Sequence, residues 1–469
     1  PPRPNIVIFL ADDLGWNDVG YHGSEIRTPR IDRLAGQGVR FERFCAFPLC
    51  SPTRTALMTG RSPIRQGVVY ATIEPFDTHG VPAEEHFLPE SLKAAGYQTA
   101  MAGKWHLGHT HRKFLPNSRG FDRSYGHLNG RIDYYTHDRE GGLDWHRDCK
   151  TLHEEGYSTD LIAREAARLI RDRDPSRPLF LYVPFNAPHA PLQPPPKFAG
   201  GYPKIKDERR RTFAAMTEYL DDAIGRVLDT LDGESMTRDT LVLFFSDNGG
   251  PTGIGANNDP LRGGKRSTFE GGIRVPALMR WPARLKPGRS DQFLTVMDLF
   301  PTLAAAAGVK PGNGLPLDGR NMWPAIEQGR VTRREEDIFF GSAGDGAFNY
   351  AVFHGEWKLV RQISRKNQAA TNMLFRVEQD LREENDLAAK HPEVVKDLAA
   401  RVDTSDEWIL ARTGIRERRI LEPELAASDL ASTAARDALE SVGMAATELD
   451  AIVVGTVTPD MPMPACAVA

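Results

Sequence analysis

Before residue 250 the chain is punctuated by four apolar runs, each stopping abruptly at polar residues. They are NIVIFLADD (Asn5 to Asp13), QTAMAGKWH (Gln98 to His106), LFLYVPFNAPH (Leu179 to His189) and TLVLFFSDN (Thr240 to Asn248). Short continuous runs of this kind read as strands buried on both faces. Between them lie apolar residues at helical spacing, over Pro89 to Ala95, Asp160 to Asp172 and Arg209 to Leu231. Strands alternating with helices predict a largely parallel sheet covered on both sides, an α/β domain from residue 1 to about residue 330. Ligands bind such sheets outside the C-terminal ends of the strands. The residues ending the four runs, Asp12, Asp13, Lys104, His106, His189, Asp247 and Asn248, are therefore expected at one mouth.

A smaller unit follows, over residues 331–402. AVFHGEWKLV (Ala351 to Val360) reads as a strand with a turn, and HPEVVKDLAARV (His391 to Val402) as an amphipathic helix with Pro392 in its first turn. The expectation is a small antiparallel sheet with one helix.

Composition narrows the class without naming it. The 469 residues are 40% apolar and 26% charged, an ordinary globular balance. The net charge of -4 gives no nucleic-acid or basic membrane footprint, and no apolar run approaches the roughly 20 residues of a membrane span. The chain opens at Pro1 without Met, directly on a strand-like run, the pattern left when a leader is removed, so export to a periplasmic or extracellular space is expected. The four cysteines, Cys45, Cys50, Cys149 and Cys466, are too few for a disulfide framework and include no C-x-x-C pair.

Cys50 stands apart from the other three. In Leu49-Cys50-Ser51-Pro52-Thr53-Arg54, Pro52 suits the first turn of a helix and Gly60 its end. Cys50 would then lie at a helix N-terminus, where free N–H groups favour an anion, with Arg54 one turn on and on the same face. A thiol in that position is expected to be acidic. Cys-x-Pro-x-Arg followed by a short helix ending in Thr59-Gly60-Arg61 resembles the signature of the formylglycine (type I) sulfatases, of the alkaline-phosphatase superfamily. DDLGWNDVGYHG, GKWHLG, DNGG and PLRGGK extend the resemblance over about residues 4–402, nearest to the arylsulfatases and the N-acetylgalactosamine-4-sulfatase branch. It implies an alkaline-phosphatase-like fold and the hydrolysis of sulfate monoesters, of aryl alcohols and of sugars. It also implies that a formylglycine-generating enzyme converts Cys50 to formylglycine, whose hydrate carries the attacking hydroxyl.

Asp12, Asp13, Asp247 and Asn248 form a hard, all-oxygen set suited to calcium or magnesium rather than zinc. One aspartate at a strand end is ordinarily a turn or cap. Two such pairs beside a matching nucleophile point to a metal. Adjacent strand residues face opposite ways, so the chain must bend after the first run, and Gly15 is expected to allow it. The resemblance implies calcium, with the residue from Cys50 completing its shell. Three aspartates and a sulfate monoester carry four negative charges, while a divalent cation with Arg54, Lys104 and Lys265 carries five positive ones. Such a site attracts an anionic substrate. By resemblance, Lys104 and His106 contact the formylglycine, His106 helping to expel sulfate. Lys265 and His189 contact the substrate sulfate, His189 giving a proton to the leaving alcohol.

Three other signals carry less. His106, His109 and His111 are better explained by the carboxylate site than by zinc, Gly264-Lys265 lacks the context of a P-loop, and Glu208 to Arg211 reads as a solvated helix face. The second functional reading is a phosphate or phosphonate monoester hydrolase of the same superfamily. Residues 403–469 resemble an N-terminal fragment of a type III ketoacyl-carrier-protein synthase, a thiolase-fold family. They predict a helix capped at Ser428 and a strand over Ala451 to Val457, but lack that family's nucleophile motif, so no catalytic role is expected of them.

Overall fold

In the computed structural model, which describes residues 3–312, 314–344, 346–402 and 427–445, the four apolar runs are neighbours in one sheet. Five strands run parallel at its centre: β1 (Asn5–Ala11), β2 (Gln98–Lys104), β3 (Arg123–His127), β4 (Leu179–Pro184) and β5 (Thr240–Ser246). Their spatial order is β5, β1, β4, β2, β3, and antiparallel β6 (Ala277–Arg280) continues the sheet beyond β5. Short flanking strands bring the total to ten. RSYGH in β3 has no continuous apolar run, so this strand carries no strong signal in the sequence.

The register explains the mouth. Leu10 pairs with Pro184 and Phe245, and Ala11 with Ser246, so three strands end level and release Asp12, Phe185 and Asp247 at one edge. The apolar runs are continuous because alternate residues enter different cores. Ile6, Ile8 and Leu10 face one core, and Val7 and Phe9 the other. Helices α1 (Cys50–Thr59), α2 (Ser158–Arg171), α3 (Glu208–Gly233) and α4 (Leu299–Ala306) cover the sheet. Helices α2 and α3 share a core with Val7 and Phe9 through Leu161, Ile162, Leu220 and Ile224. Helices α1 and α4 fill the opposite side with Ala56, Leu57, Met58, Phe300 and Leu303.

The predicted smaller sheet is present. Strands β7 (Ile338–Gly344), β8 (Ala347–His354), β9 (Trp357–Ser364) and β10 (Ala370–Phe375) form an antiparallel meander, with the expected turn between β8 and β9. Phe340, Phe353, Val360 and Phe375 join the core that holds α1, while Val352, Leu359 and Leu374 pack with Leu398 of helix α5 (Pro392–Val402). From β9, Lys358 reaches inward to Glu270 and Glu383, 2.8 Å from a carboxylate oxygen of each, and all three are buried.

The chain divides into two compact units, residues 1–402 and 403–469. In the second, helix α6 (Ala427–Val442) is described, starting one residue ahead of the expected cap at Ser428. The segment 403–420, the expected strand from Ala451 to Val457 and Cys466 lie outside the described residues. No helix among the described residues is long and apolar enough to cross a membrane.

Removing Lys358 would leave Glu270 and Glu383 buried together with less compensation. Lys358→Met is expected to destabilise the fold by about 3–5 kcal/mol in urea unfolding, the usual cost of breaking a buried ion network from one side. A loss below about 1 kcal/mol would show that the carboxylates find other partners.

Candidate active site

The strand ends deliver Asp12, Lys104 and Asp247 to one place, and α1 brings Cys50 and Arg54 to it. Helix α1 starts at Cys50 and ends at Gly60, whose left-handed backbone (φ 65°) lets its N–H reach the Ala56 carbonyl. All ten of its residues are buried. Cys50 Sγ lies 3.5 Å from Asp12 Oδ1, 3.4 Å from Asn248 Oδ1 and 3.5 Å from Lys265 Nζ.

Carboxylates and cations alternate around the thiol. Lys104 Nζ is 2.6 Å from Asp12 Oδ2, and Lys265 Nζ is 2.5 Å from Asp13 Oδ1. Arg54 donates through Nε and Nη2 to Asp247 Oδ2 at 3.2 and 2.8 Å, and through Nη1 to the Lys104 carbonyl at 3.0 Å. Asn248 Nδ2 donates to Asp13 Oδ1 at 2.8 Å, which leaves its oxygen facing Cys50. The bend after β1 is made by Asp13 itself, at φ 70°, and not by Gly15, whose backbone is extended. Aspartate tolerates that region better than most residues. Gly15 is needed for a different reason: a Cβ there would lie 2.3 Å from the Asn257 carbonyl oxygen. Asn248 is backed as tightly, since a Cβ at Gly249 would lie 1.8 Å from the Gly271 oxygen. Arg210 is a correction to the solvated-face reading. It turns inward to Asp18, Glu25 and the Gly255 carbonyl, steadying the loop after β1.

Two histidines complete the site. His106, also left-handed at φ 61°, places Nε2 3.0 Å from the Ile73 carbonyl, while its buried Nδ1 has no hydrogen-bond partner among the described residues. His189 Nδ1 is 2.6 Å from the Ala190 carbonyl, and Nε2 is 3.4 Å from Asp13 Oδ2. His109 bonds the Pro75 carbonyl separately, and no cluster of His106, His109 and His111 forms among the described residues. Asp12, Asp13, Cys50 and His189 each present one donor atom, all within 4.8 Å of one another. Asp247 lies alongside this group, with Oδ2 taken by Arg54 and Oδ1 by the Asp13 N–H. His127, at the end of β3 beside Lys104, was missed with its strand, and neither of its buried ring nitrogens is hydrogen-bonded among the described residues.

Burial and charge set the protonation states. Burial, reinforced by Asp247, pushes Asp12 up to about 7 against the pull of Lys104 and Arg54. Asp13 is as buried, yet Lys265 and His189 hold it well below the usual carboxylate range. Burial lowers His189 to about 3 and keeps His106 neutral, with Lys104 and Arg54 adding to the effect on His106. The Cys50 thiol is pushed up by burial and by Asp247, so the acidic thiol expected from the helix N-terminus is not found. Lys104 and Lys265 act in the expected direction and are outweighed. The buried oxygens of Asp12, Asp13, Asp247 and Asn248 fit a hard divalent cation, which would offset the burial and the Asp247 charge that raise Asp12.

A family profile described as Sulfatase matches residues 4–309. The chain is 36% identical over 380 residues to arylsulfatase J of Mus musculus, covering 78% of this chain and 63% of that relative's length. It is 35% identical over 394 residues to the N-acetylgalactosamine-6-sulfatase of Homo sapiens, covering 77% of this chain and 74% of the relative. Among solved structures it is similar to Ps i-CgsB in complex with k-i-k-neocarrahexaose, at 32% identity and TM-score 0.80, covering 94% of this chain and 99% of the other. A phosphonate monoester hydrolase of Agrobacterium radiobacter shares the fold, at 19% identity and TM-score 0.63, over 85% of this chain and 95% of that one.

Asp12 gives the site a pH signature. Its folded-state value lies above the ordinary 3.8, so its stabilising contribution to the ion-free fold is full below that pH and is lost as pH rises through about 7. A divalent cation must displace the same proton. Binding of a divalent cation is therefore expected to release about one proton per ion near pH 6 and little near pH 8, with affinity rising between them. Calorimetry in buffers of different ionisation enthalpy measures this, and pH-independent proton release would contradict it.

Proposed function

The chain belongs to the sulfatase family, and from that premise we propose that it hydrolyses sulfate monoesters of sugars with a nucleophile made from Cys50 beside a bound calcium ion. One observation carries the reading: Cys50 opens a buried helix with Asp12, Asn248 and Lys265 all within 3.5 Å of its sulfur. Converted to formylglycine and hydrated, this residue would supply a hydroxyl nucleophile that the raised thiol cannot match. Asp12, Asp13, Asp247, Asn248 and the converted residue would hold calcium, and the bound ion would supply Lewis-acid polarisation of the sulfate.

The other residues hold this arrangement and move protons. Arg54 fixes Asp247 and ties it to the end of β2, and Lys104 fixes Asp12. Lys265, held charged by Asp13 despite burial, offsets charge on the sulfate oxygens. With Nε2–H donating to Ile73, His106 keeps a lone pair on Nδ1 and would take the proton of the remaining hydroxyl as sulfate is expelled. His189 donates Nδ1–H to Ala190, so its Nε2 faces the site. Burial keeps that nitrogen unprotonated at rest, and the anion of a bound ester favours loading it with the proton it gives to the departing alcohol.

A sulfated saccharide is favoured by the relative named for N-acetylgalactosamine 6-sulfate and by the structure solved with a neocarrahexaose. These also leave the 4-position expected from the sequence to be decided by a substrate screen. The phosphonate hydrolase shares the fold alone, and relative rates on aryl sulfate and aryl phosphate separate that alternative. All the residues used lie between Asp12 and Lys265, so residues 403–469 take no part in the proposed reaction.

Protein expressed with a formylglycine-generating enzyme should show the Cys50 peptide without its thiol mass. Cys50→Ala should fold normally and lose turnover. A fully active enzyme with an intact thiol would end the proposal. His189→Ala should slow a sugar sulfate on the order of 10²–10⁴-fold and nitrophenyl sulfate far less, because nitrophenolate needs little help from a general acid. Equal losses on both would remove His189 from the acid role.

A further inference from the structure

Lys265 and Arg266 are consecutive cations with opposite surroundings. Lys265 is committed to Asp13 and Cys50. Arg266 is exposed, and its guanidinium has no carboxylate or hydrogen-bond partner among the described residues. Its neighbours are engaged: Arg262 donates to the Glu383 carbonyl and lies over the Phe269 ring, and Arg274 pairs with Glu270.

The backbone holds Arg266 firmly in this place. Its N–H donates to the Pro48 carbonyl at 2.9 Å, two residues before Cys50, and its carbonyl accepts from Ser342 Oγ of β7. It is the third residue of a turn closed by the Ser267 N–H on the Gly264 carbonyl at 2.9 Å, with φ at 75°. Glycine or asparagine sits in that conformation at little cost, whereas arginine is strained there. Gly344 leaves room for the side chain, since a Cβ at Gly344 would lie 3.1 Å from Arg266 Cβ. Within the site, Arg54, Lys104 and Lys265 are matched by Asp12, Asp13 and Asp247. Among the described residues nothing offsets the charge of Arg266, which follows Lys265 directly in the chain.

We infer that Arg266 is a subsite for a second anionic group of the substrate, on the same sugar as the ester or on its neighbour. The group is a second sulfate or a uronate carboxylate, either of which accepts paired N–H donors from a guanidinium. This inference rests on the sulfate-ester reading and narrows its substrates to saccharides with at least two negative groups. Among the described residues no partner of the guanidinium explains why an arginine occupies this strained turn.

The test uses nitrophenyl sulfate as reporter, because it lacks a second anion, with wild-type protein, Arg266→Asn and Arg266→Gly. Inhibition of its hydrolysis is measured for a monosulfated disaccharide, a disulfated one, and a monosulfated one containing a uronate. Wild type should bind the two dianionic saccharides more tightly than the monosulfated one. Both variants should lose roughly tenfold on a dianionic saccharide, and less than about twofold on the monosulfated one and on nitrophenyl sulfate. The disulfated and uronate arms identify which anion is read. Arg266→Gly should melt no lower than wild type, because it relieves the strained turn. Equal weakening across all three saccharides, or no preference for dianions in wild type, would overturn the subsite. So would a lowered melting temperature with parallel loss on nitrophenyl sulfate, which would make Arg266 structural. Wild-type protein inert on nitrophenyl sulfate and on every saccharide would instead remove the sulfatase reading beneath it.

Discussion

Three carboxylates crowded at the edge of a sheet, out of water, repel one another strongly enough to dictate what surrounds them. Here Lys104, Arg54 and Lys265 are interleaved with Asp12, Asp247 and Asp13, each cation within hydrogen-bond distance of its carboxylate. Removing any one would leave a buried charge uncompensated. The site is thus held by opposing charges and has little freedom to collapse. Asp12 remains the least satisfied member.

The scaffold serves this balance from both directions. The level ends of β1 and β5 set the spacing of Asp12 and Asp247, and the wholly buried α1 presents Cys50 and Arg54 across them. Behind Asn248, close passage of Gly249 over Gly271 leaves no slack. The segment Glu270–Ile273 is anchored in turn by Lys358 of the small sheet, through Glu270. The small sheet, far along the chain, therefore steadies the loop that carries Lys265.

Much of this was legible in the sequence because it rests on local patterns. Continuous apolar runs marked β1, β2, β4 and β5, abrupt polar ends marked the mouth, and Pro52 with Gly60 framed α1. What escaped depends on residues distant along the chain. The left-handed turn falls on Asp13, while Gly15 stays extended and packs against Asn257. Arg210 looked like surface until Asp18 and Glu25 were placed beside it. The thiol of Cys50 read as acidic from its helix position alone, whereas its burial beside Asp247 decides the opposite. β3 and His127 gave no signal, since a strand of mixed polarity resembles a loop.

The burial of α1 also bears on timing. With Cys50 1% exposed and every residue of its helix covered, the sulfur is out of reach of any second protein once the fold has closed. An enzyme needing to grip the flanking residues of Cys50 cannot reach them, because those residues are core. Any covalent change made to that side chain by another protein belongs to the interval between synthesis and folding. A molecule that folds unmodified has missed its opportunity, and rescuing it would require unfolding the helix that gives the site its shape.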